Sequence, residues 1–169
     1  AYLDKNLNKI LNLKSTFIKK AIINSCKLKK RIVERDEKEK NLRKVLNLGH
    51  TFAHAYESKL NFSKKLNHGE AVILGIKNSI KLSKKKRMLS KNKYRLINDH
   101  IKKIPLKKKF NTIFKKKDLN EILIFMKADK KNISNKINII VMKDFGKIKT
   151  DFYINDNILK KFLLLELNK

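Results

Sequence analysis

Three of the four histidines in this chain lie in two short segments whose residue types suit metal binding and acid–base chemistry. His50 and His54 stand four residues apart, and His68 opens the second segment, His-Gly-Glu, after a polar gap. Neutral imidazole is a common ligand of zinc and similar cations, and its near-neutral pKa also suits proton transfer. Arg43 and Asn47 stand just upstream and offer donors for carboxylate, phosphate and hydroxyl groups. Together these residues indicate a metal and substrate site.

The polar residues of the first segment follow helical spacing, at i, i+4, i+7 and i+11: Arg43, Asn47, His50 and His54. Residues at this spacing lie along one face of an α-helix, so a continuous helix over residues 42–60 is predicted to carry them. Apolar residues would occupy most of the remaining circumference, as in a buried helix. A buried polar stripe needs partners, and a metal ion with an anionic ligand would supply them.

Apolar periodicity elsewhere predicts a mainly α fold, a multi-helix domain with a small β-hairpin before the last helix. Helices are expected at 2–13, from a cap at Ser15 or Thr16 up to a charged loop at 34–40, and from His68 after a polar loop at 61–67. Three more are expected at 90–104, 118–126 and 156–167, with Ser90, Asp118 and Asp156 as their N-terminal caps. The hairpin strands are expected at 136–142 and 147–154. The sequence has no glycine-rich turn between a strand and a helix. By itself it is therefore not expected to bind a dinucleotide in the Rossmann manner.

The net charge of +29 raises the alternative of a basic nucleic-acid-binding module. Only five of the 44 basic residues are arginine, however, and bidentate recognition of bases and phosphates favours arginine. The lysines are also spread over the polar faces of every predicted helix. We therefore interpret most of the charge as solvated surface and expect no specific nucleic-acid partner.

Cysteine content and hydropathy predict a protein of a reducing compartment, the cytoplasm, with no membrane segment. Cys26 is the only cysteine, so no internal disulfide is expected, and it is predicted to be a small core residue of the second helix. The sequence begins without the pattern of a signal peptide. Its longest apolar runs are far too short to cross a bilayer.

The block Arg43-x-x-x-Asn47-Leu-Gly-His50-Thr-x-x-His54-Ala-x-Glu57, followed by His68-Gly-Glu70-Ala-Val, closely resembles the metal-binding signature of 3-dehydroquinate synthases. The resemblance extends upstream through Leu28-Lys29 and the loop that holds Asp36-Glu37 and Glu39. Downstream it reaches Asp129-Lys130-Lys131. It implies that residues 1–169 form the C-terminal helical domain of such an enzyme, a dehydroquinate synthase-like α domain.

The resemblance also implies roles for individual residues. His50 and His68 match the metal ligands, and His54 and Glu39 match residues that transfer protons. The family's residues that bind the anionic and hydroxyl groups of the substrate correspond here to Lys29, Arg43, Asn47 and Lys130. The family's third metal ligand is a glutamate that nothing in this chain matches, and its NAD-binding N-terminal domain also lies outside the chain. No residue here is expected to bind the dinucleotide, and the chain alone is expected to be inactive.

The implied reaction converts 3-deoxy-D-arabino-heptulosonate 7-phosphate (DAHP) to 3-dehydroquinate and phosphate in the shikimate pathway of aromatic amino acid biosynthesis. It uses NAD+ and a divalent metal, Zn2+ or Co2+, for transient oxidation, phosphate elimination, reduction and aldol cyclisation. The implied partners are an anionic sugar-phosphate substrate, the N-terminal NAD-binding domain and a second copy in a homodimer.

Several alternatives remain open from the sequence. A paralogous cyclase acting on sedoheptulose 7-phosphate would use the same metal-binding block. Lys29 and Glu39 taken alone read as ordinary surface charge, and the sequence does not choose between Lys130 and Lys131. The remaining polar residues of interest, Glu57, Glu70 and His100, have plain structural interpretations as helix-end or surface groups.

Overall fold

A computed structural model describes residues 2–106, 108–128 and 136–168. The chain forms two compact units, Ala1–Leu46 and Asn47–Lys169. The first unit holds the helices α1 (Tyr2–Leu11) and α2 (Ser15–Arg35), and a 3₁₀ helix (Leu42–Asn47) runs into the second. The second unit contains α3 (His50–Lys59), α4 (His68–Lys85), α5 (Lys91–Lys102), α6 (Phe110–Ile113), a 3₁₀ turn (Lys116–Asp118), α7 (Leu119–Lys127), β1 (Lys136–Asp144), β2 (Lys147–Asn155) and α8 (Asp156–Leu167). The prediction of a mainly α fold with one hairpin before the last helix is confirmed.

In the first unit, α1 packs against α2, and the Tyr2 hydroxyl donates a hydrogen bond to the Phe17 carbonyl at 3.2 Å. The prediction that Cys26 is a core residue is wrong, because its side chain is exposed. Ile22 of the same helix is exposed as well. At 1.5 Å of rise per residue, the 10-residue α1 is about half as long as the 21-residue α2 and covers only part of it.

The core of the second unit is built from α3, α4, α7, α8 and the hairpin. An aromatic cluster lies at its centre, where the ring of Tyr56 is 5.4 Å from that of Phe110 and 5.2 Å from that of Phe114, centre to centre. The Tyr56 hydroxyl is buried and accepts a hydrogen bond from Asn78 of α4 at 2.6 Å. This pairing satisfies a polar group that would otherwise be costly to bury, and it ties α3 to α4.

The hairpin is an antiparallel pair in which Lys136 lies opposite Asn155 and Ile139 opposite Phe152, with an irregularity beyond Ile139. Strand β1 is buried along most of its length, since α4, α3 and α7 pack against it. The Ser83 hydroxyl of α4 accepts a hydrogen bond from the Met142 amide at 3.0 Å. The two-stranded sheet is therefore attached to the helix that begins at the second histidine segment.

Helix starts agree with the predicted cap residues in part. Ser90 caps α5 as expected, by accepting from the Lys93 amide at 3.4 Å. Helix α8 is capped one residue earlier than predicted, by Asn155, whose side chain accepts from the Asn157 amide at 2.9 Å. Among the described residues, none of the helices combines the length and the apolar character that a membrane crossing requires.

The prediction of one continuous helix over residues 42–60 is wrong. The 3₁₀ helix ends at Asn47, and α3 begins at His50 after Gly49, which adopts a left-handed conformation with φ of +85°. The reason is tertiary: a β-carbon on Gly75 of α4 would lie 2.1 Å from the Gly49 carbonyl oxygen. The two glycines let α3 and α4 cross in backbone contact, and Gly49 supplies the turn that starts α3 at this crossing.

Candidate metal and substrate site

The α3–α4 crossing brings three histidines together. His50 is the first residue of α3, His54 lies one turn further along, and His68 is the first residue of α4. The ring of His50 lies 5.5 Å from that of His54 and 5.7 Å from that of His68, centre to centre, and the rings of His54 and His68 are 6.3 Å apart. The crossing thus brings the rings of His50 and His68, the two predicted metal ligands, close to each other.

The separation of the His50 and His68 rings suits a shared metal ion. A zinc–nitrogen bond of about 2.0–2.1 Å places the metal roughly 3.2 Å from the centre of a ligating ring, so two ligating rings lie about 5–6 Å apart. The observed 5.7 Å falls in this interval. Within the described residues, no group of three or more His, Cys, Asp or Glu side chains forms a complete metal site.

The environment of His50 favours the neutral form of its imidazole. Burial lowers the pKa of the ring, and the neighbouring His54 and His68 lower it further, against the opposite effects of the Leu48 carbonyl and of Glu57. The Nδ1 atom is buried and makes no well-formed hydrogen bond with the described residues. Neutral imidazole is the form that binds metals, so the residue fits the ligand role that a divalent cation requires.

His68 is held by a carboxylate of α3. Its Nδ1 lies 3.0 Å and 3.2 Å from the two carboxylate oxygens of Glu57, which is buried, whereas the His68 ring is largely exposed. This contact occupies Nδ1 and leaves Nε2 on the far side of the ring. Sequence reasoning did not assign Glu57 to the site. The signal for it was its position on the row of residues that starts at His50 and His54.

In the first unit, the loop after α2 organises Glu39 and Arg43. The Asp36 carboxylate accepts hydrogen bonds from the amides of Lys40, Asn41 and Arg43 at 2.8–2.9 Å. Glu39 lies in the left-handed region, with φ of +52°, and its carboxylate is 3.9 Å from Arg43 Nε. Arg43 Nη1 also donates to the Glu37 carbonyl at 2.7 Å. The guanidinium and the Glu39 carboxylate are therefore held as neighbours.

The remaining predicted substrate-binding residues are Lys29, Asn47 and Lys130. Lys29 is exposed on α2, and Asn47 is half-buried at the end of the 3₁₀ helix. Lys130, like its neighbour Lys131, lies outside the described residues. The placement of Lys29, Glu39 and Arg43 beside the histidines stays a prediction. The structure assembles His50, His54 and His68 in the second unit and Glu39 with Arg43 in the first.

The loop after α2 should respond to acid through Asp36. Hydrogen bonds from the Arg43 and Asn41 amides lower the pKa of this carboxyl below its ordinary value of 3.8. A depressed pKa contributes stability that is complete above 3.8 and is lost as the pH falls through the lower, folded value. We expect the amide NMR signals of Lys40, Asn41 and Arg43 to titrate together with a midpoint below 3.8, and not to titrate in Asp36→Asn. A midpoint at or above 3.8 would contradict the assignment.

The fold places the chain in a structural class. The crystal structure of 2-deoxy-scyllo-inosose synthase matches it with a TM-score of 0.57 and 19% sequence identity, over 78% of this chain and 34% of that protein. A structure of a 2-deoxy-scyllo-inosose synthase in complex with carbaglucose-6-phosphate, NAD+ and Co2+ matches with a TM-score of 0.57 and 20% identity, over 78% and 36%. The chain thus has the fold of one domain of such a synthase.

The particular family follows from the sequence comparison. The chain belongs to the 3-dehydroquinate synthase family, since the family model described as 3-dehydroquinate synthase C-terminal matches residues 1–132. The 3-dehydroquinate synthase of Pelagibacter ubique is 46% identical over 168 residues, which are 99% of this chain and 46% of that enzyme. That of Endomicrobium trichonymphae is 41% identical over 143 residues, or 84% and 38%. The chain spans about half the length of the curated relatives it matches.

Proposed function

We propose that this chain supplies the metal- and substrate-binding half of a 3-dehydroquinate synthase, which converts DAHP to 3-dehydroquinate and phosphate. The observation that carries the proposal is the convergence of His50, His54 and His68 at the α3–α4 crossing, in a chain of this family. The N-terminal half of the enzyme, as long again in the relatives, would bind NAD+. A divalent cation and NAD+ are also present in the 2-deoxy-scyllo-inosose synthase complex of the same fold.

His50 and His68 would hold the divalent cation, Zn2+ or Co2+, with a carboxylate from the other half as a further ligand. Bound there, the cation supplies a Lewis acid beside the substrate hydroxyl that NAD+ oxidises. The neutral state of His50, favoured by burial, suits the ligand role. The exposed His68 ring faces the same place from the start of α4.

His54 would transfer protons beside the reacting hydroxyl. Its ring is exposed and lies within 6.3 Å of both proposed ligands, so a substrate bound at the cation is within its reach. Glu39 would act in the same role from the loop after α2. The net reaction contains no redox change, because the hydride removed from the substrate returns to it after phosphate leaves.

Arg43 would bind an anionic group of the substrate. Its Nη1 donates a hydrogen bond to the Glu37 carbonyl, and this contact orients the guanidinium. A guanidinium has five N–H donors, so others would bind the substrate's anionic group. Lys29, Asn47 and Lys130 would complete the binding of the carboxylate, phosphate and hydroxyl groups. The substrate's carboxylate distinguishes DAHP from sedoheptulose 7-phosphate, so the guanidinium favours DAHP. We also propose a homodimer working in the cytoplasm.

The proposal is tested by completing the enzyme. The completed enzyme is this chain joined to the N-terminal half that its relatives carry. We expect the chain alone to release no phosphate from DAHP, because the hydride acceptor and one metal ligand are missing. The completed enzyme should release phosphate and form 3-dehydroquinate only with NAD+ and a divalent metal, and sedoheptulose 7-phosphate should be a poor substrate. Turnover by the chain alone, or none by the folded, metal-loaded completed enzyme, would contradict the proposal.

A further inference from the structure

Glu57 is a buried acidic residue to which the proposed reaction gives no role. It is 8% exposed and follows the buried Tyr56 on α3, and its carboxylate contacts His68. Burying a carboxylate is costly unless it is paired, and the hydrogen-bond partner that the described residues offer it is the imidazole of His68. A buried acid aimed at the ring of a proposed metal ligand calls for an explanation.

The chemistry of the pair sets the protonation pattern of the ring. An ionised carboxylate only accepts hydrogen bonds, so the His68 nitrogen that faces it, Nδ1, must carry the proton. In a neutral imidazole the other nitrogen, Nε2, is then unprotonated and has the lone pair that a metal ion needs. Carboxylates that accept a hydrogen bond from a ligating histidine orient the ring and raise its basicity in many zinc sites.

The exposed position of His68 makes an orienting partner important for this residue. Its side chain is 60% exposed and stands at the first residue of α4, where little packing restricts its rotation. Glu57 is fixed, because its neighbours Ala55 and Tyr56 are buried and its own carbonyl accepts from the amides of Leu60 and Phe62. The buried Glu57 can therefore orient the exposed ring of His68.

A second glutamate nearby has a different role and serves as a comparison. Glu70 also lies at the start of α4, but its carboxylate accepts from the backbone amide of Asn67 at 3.1 Å. This contact is half of a capping arrangement that satisfies a helix-end donor. It supports the helix rather than the imidazole.

We propose that Glu57 is a positioning residue for His68: it holds the Nδ1–H tautomer and turns Nε2 toward the place shared with His50. Glu57 does not itself bind the cation or the substrate. The inference rests on the proposed function in one respect, that His50 and His68 bind a divalent cation.

The first measurement needs no metal. The chain contains four histidines, so selective ¹⁵N labelling resolves their ring nitrogens by NMR. At about pH 9, where imidazole is neutral, His68 should carry its proton on Nδ1 in the unchanged chain. In Glu57→Gln, which keeps the shape of the side chain, and in Glu57→Ala, the Nδ1–H fraction should fall. In Glu70→Gln it should stay as it was.

The second measurement is the affinity for Co2+ in the completed enzyme, followed by its visible absorption. The dissociation constant should rise about 10- to 100-fold in Glu57→Gln, the usual effect of losing an outer carboxylate. In Glu70→Gln it should change less than about threefold, within the ordinary context dependence of such effects. Far-ultraviolet circular dichroism establishes whether each variant is folded. If Glu57→Ala does not fold, the Co2+ affinity of Glu57→Gln alone tests the role of Glu57.

The outcomes separate the two proposals. An unchanged His68 tautomer or an unchanged Co2+ affinity in folded Glu57→Gln overturns the role of Glu57, even if His50→Ala and His68→Ala lose the cation. Undiminished Co2+ binding in both histidine variants overturns the proposed metal site. In that case the metal-free tautomer measurement still decides whether Glu57 orients His68.

Discussion

Replacing His50 by alanine in the completed enzyme is expected to lower NAD-dependent phosphate release from DAHP by about a thousandfold or more. A bound Lewis acid contributes several kcal/mol to the barrier, and about 1.4 kcal/mol corresponds to a factor of ten in rate. Without His50 the site would lose the proposed ligand whose ring lies 5.5 Å from His54 and 5.7 Å from His68. The measurements are steady-state phosphate release and the metal content of the purified protein.

Two further histidine variants make this result specific. His54→Ala should retain the metal but lose about 10²- to 10⁴-fold in rate, with an altered pH profile, because it removes a proposed proton-transfer group and not a proposed ligand. His100→Ala, on α5, serves as the control and should keep both rate and metal. Full activity in His50→Ala, or loss of metal in His54→Ala with retention in His50→Ala, would show that the ligand assignment is wrong.

Replacing Gly75 by alanine is expected to lower the free energy of unfolding by about 3 kcal/mol, at the upper end of the usual cost of overpacking. The added β-carbon would lie 2.1 Å from the Gly49 carbonyl oxygen and 3.0 Å from its carbonyl carbon. Backbone atoms cannot rotate away as a flexible side chain can, so α3 and α4 must separate. Urea denaturation of the chain, followed by circular dichroism, measures the loss.

The matched control is Gly69→Ala in the same helix. A β-carbon at Gly69 meets nothing within 4 Å, so alanine should be neutral or stabilising by up to about 1 kcal/mol through its better helix propensity. Because α3 and α4 carry His50 and His68, the completed enzyme with Gly75→Ala should also bind Co2+ more weakly than that with Gly69→Ala. Equal stability of the two variants would contradict the close crossing.

The sequence by itself determined most of the secondary structure and the identity of the proposed site. Helical and alternating apolar patterns are local, so they predicted the helix that opens at His68, the Ser90 cap and the hairpin before α8. The spacing of His50 and His54 likewise placed the two rings one turn apart on a helix, as observed. These features depend on residues a few positions apart, which a sequence displays directly.

Only the tertiary structure decided where the helix breaks and which groups meet. The turn at Gly49 exists because Gly75 approaches it from another helix. No local pattern shows that Gly75 is required for a close helix crossing and is not simply a glycine within a helix. The same crossing brings His68 to His50 and sets Glu57 against His68. Cys26 is exposed, although its helical spacing predicted burial, because periodicity shows which face of a helix is apolar and not whether another element covers it. Contacts between segments distant in sequence depend on packing in three dimensions, and for that reason the chain's local patterns did not reveal them.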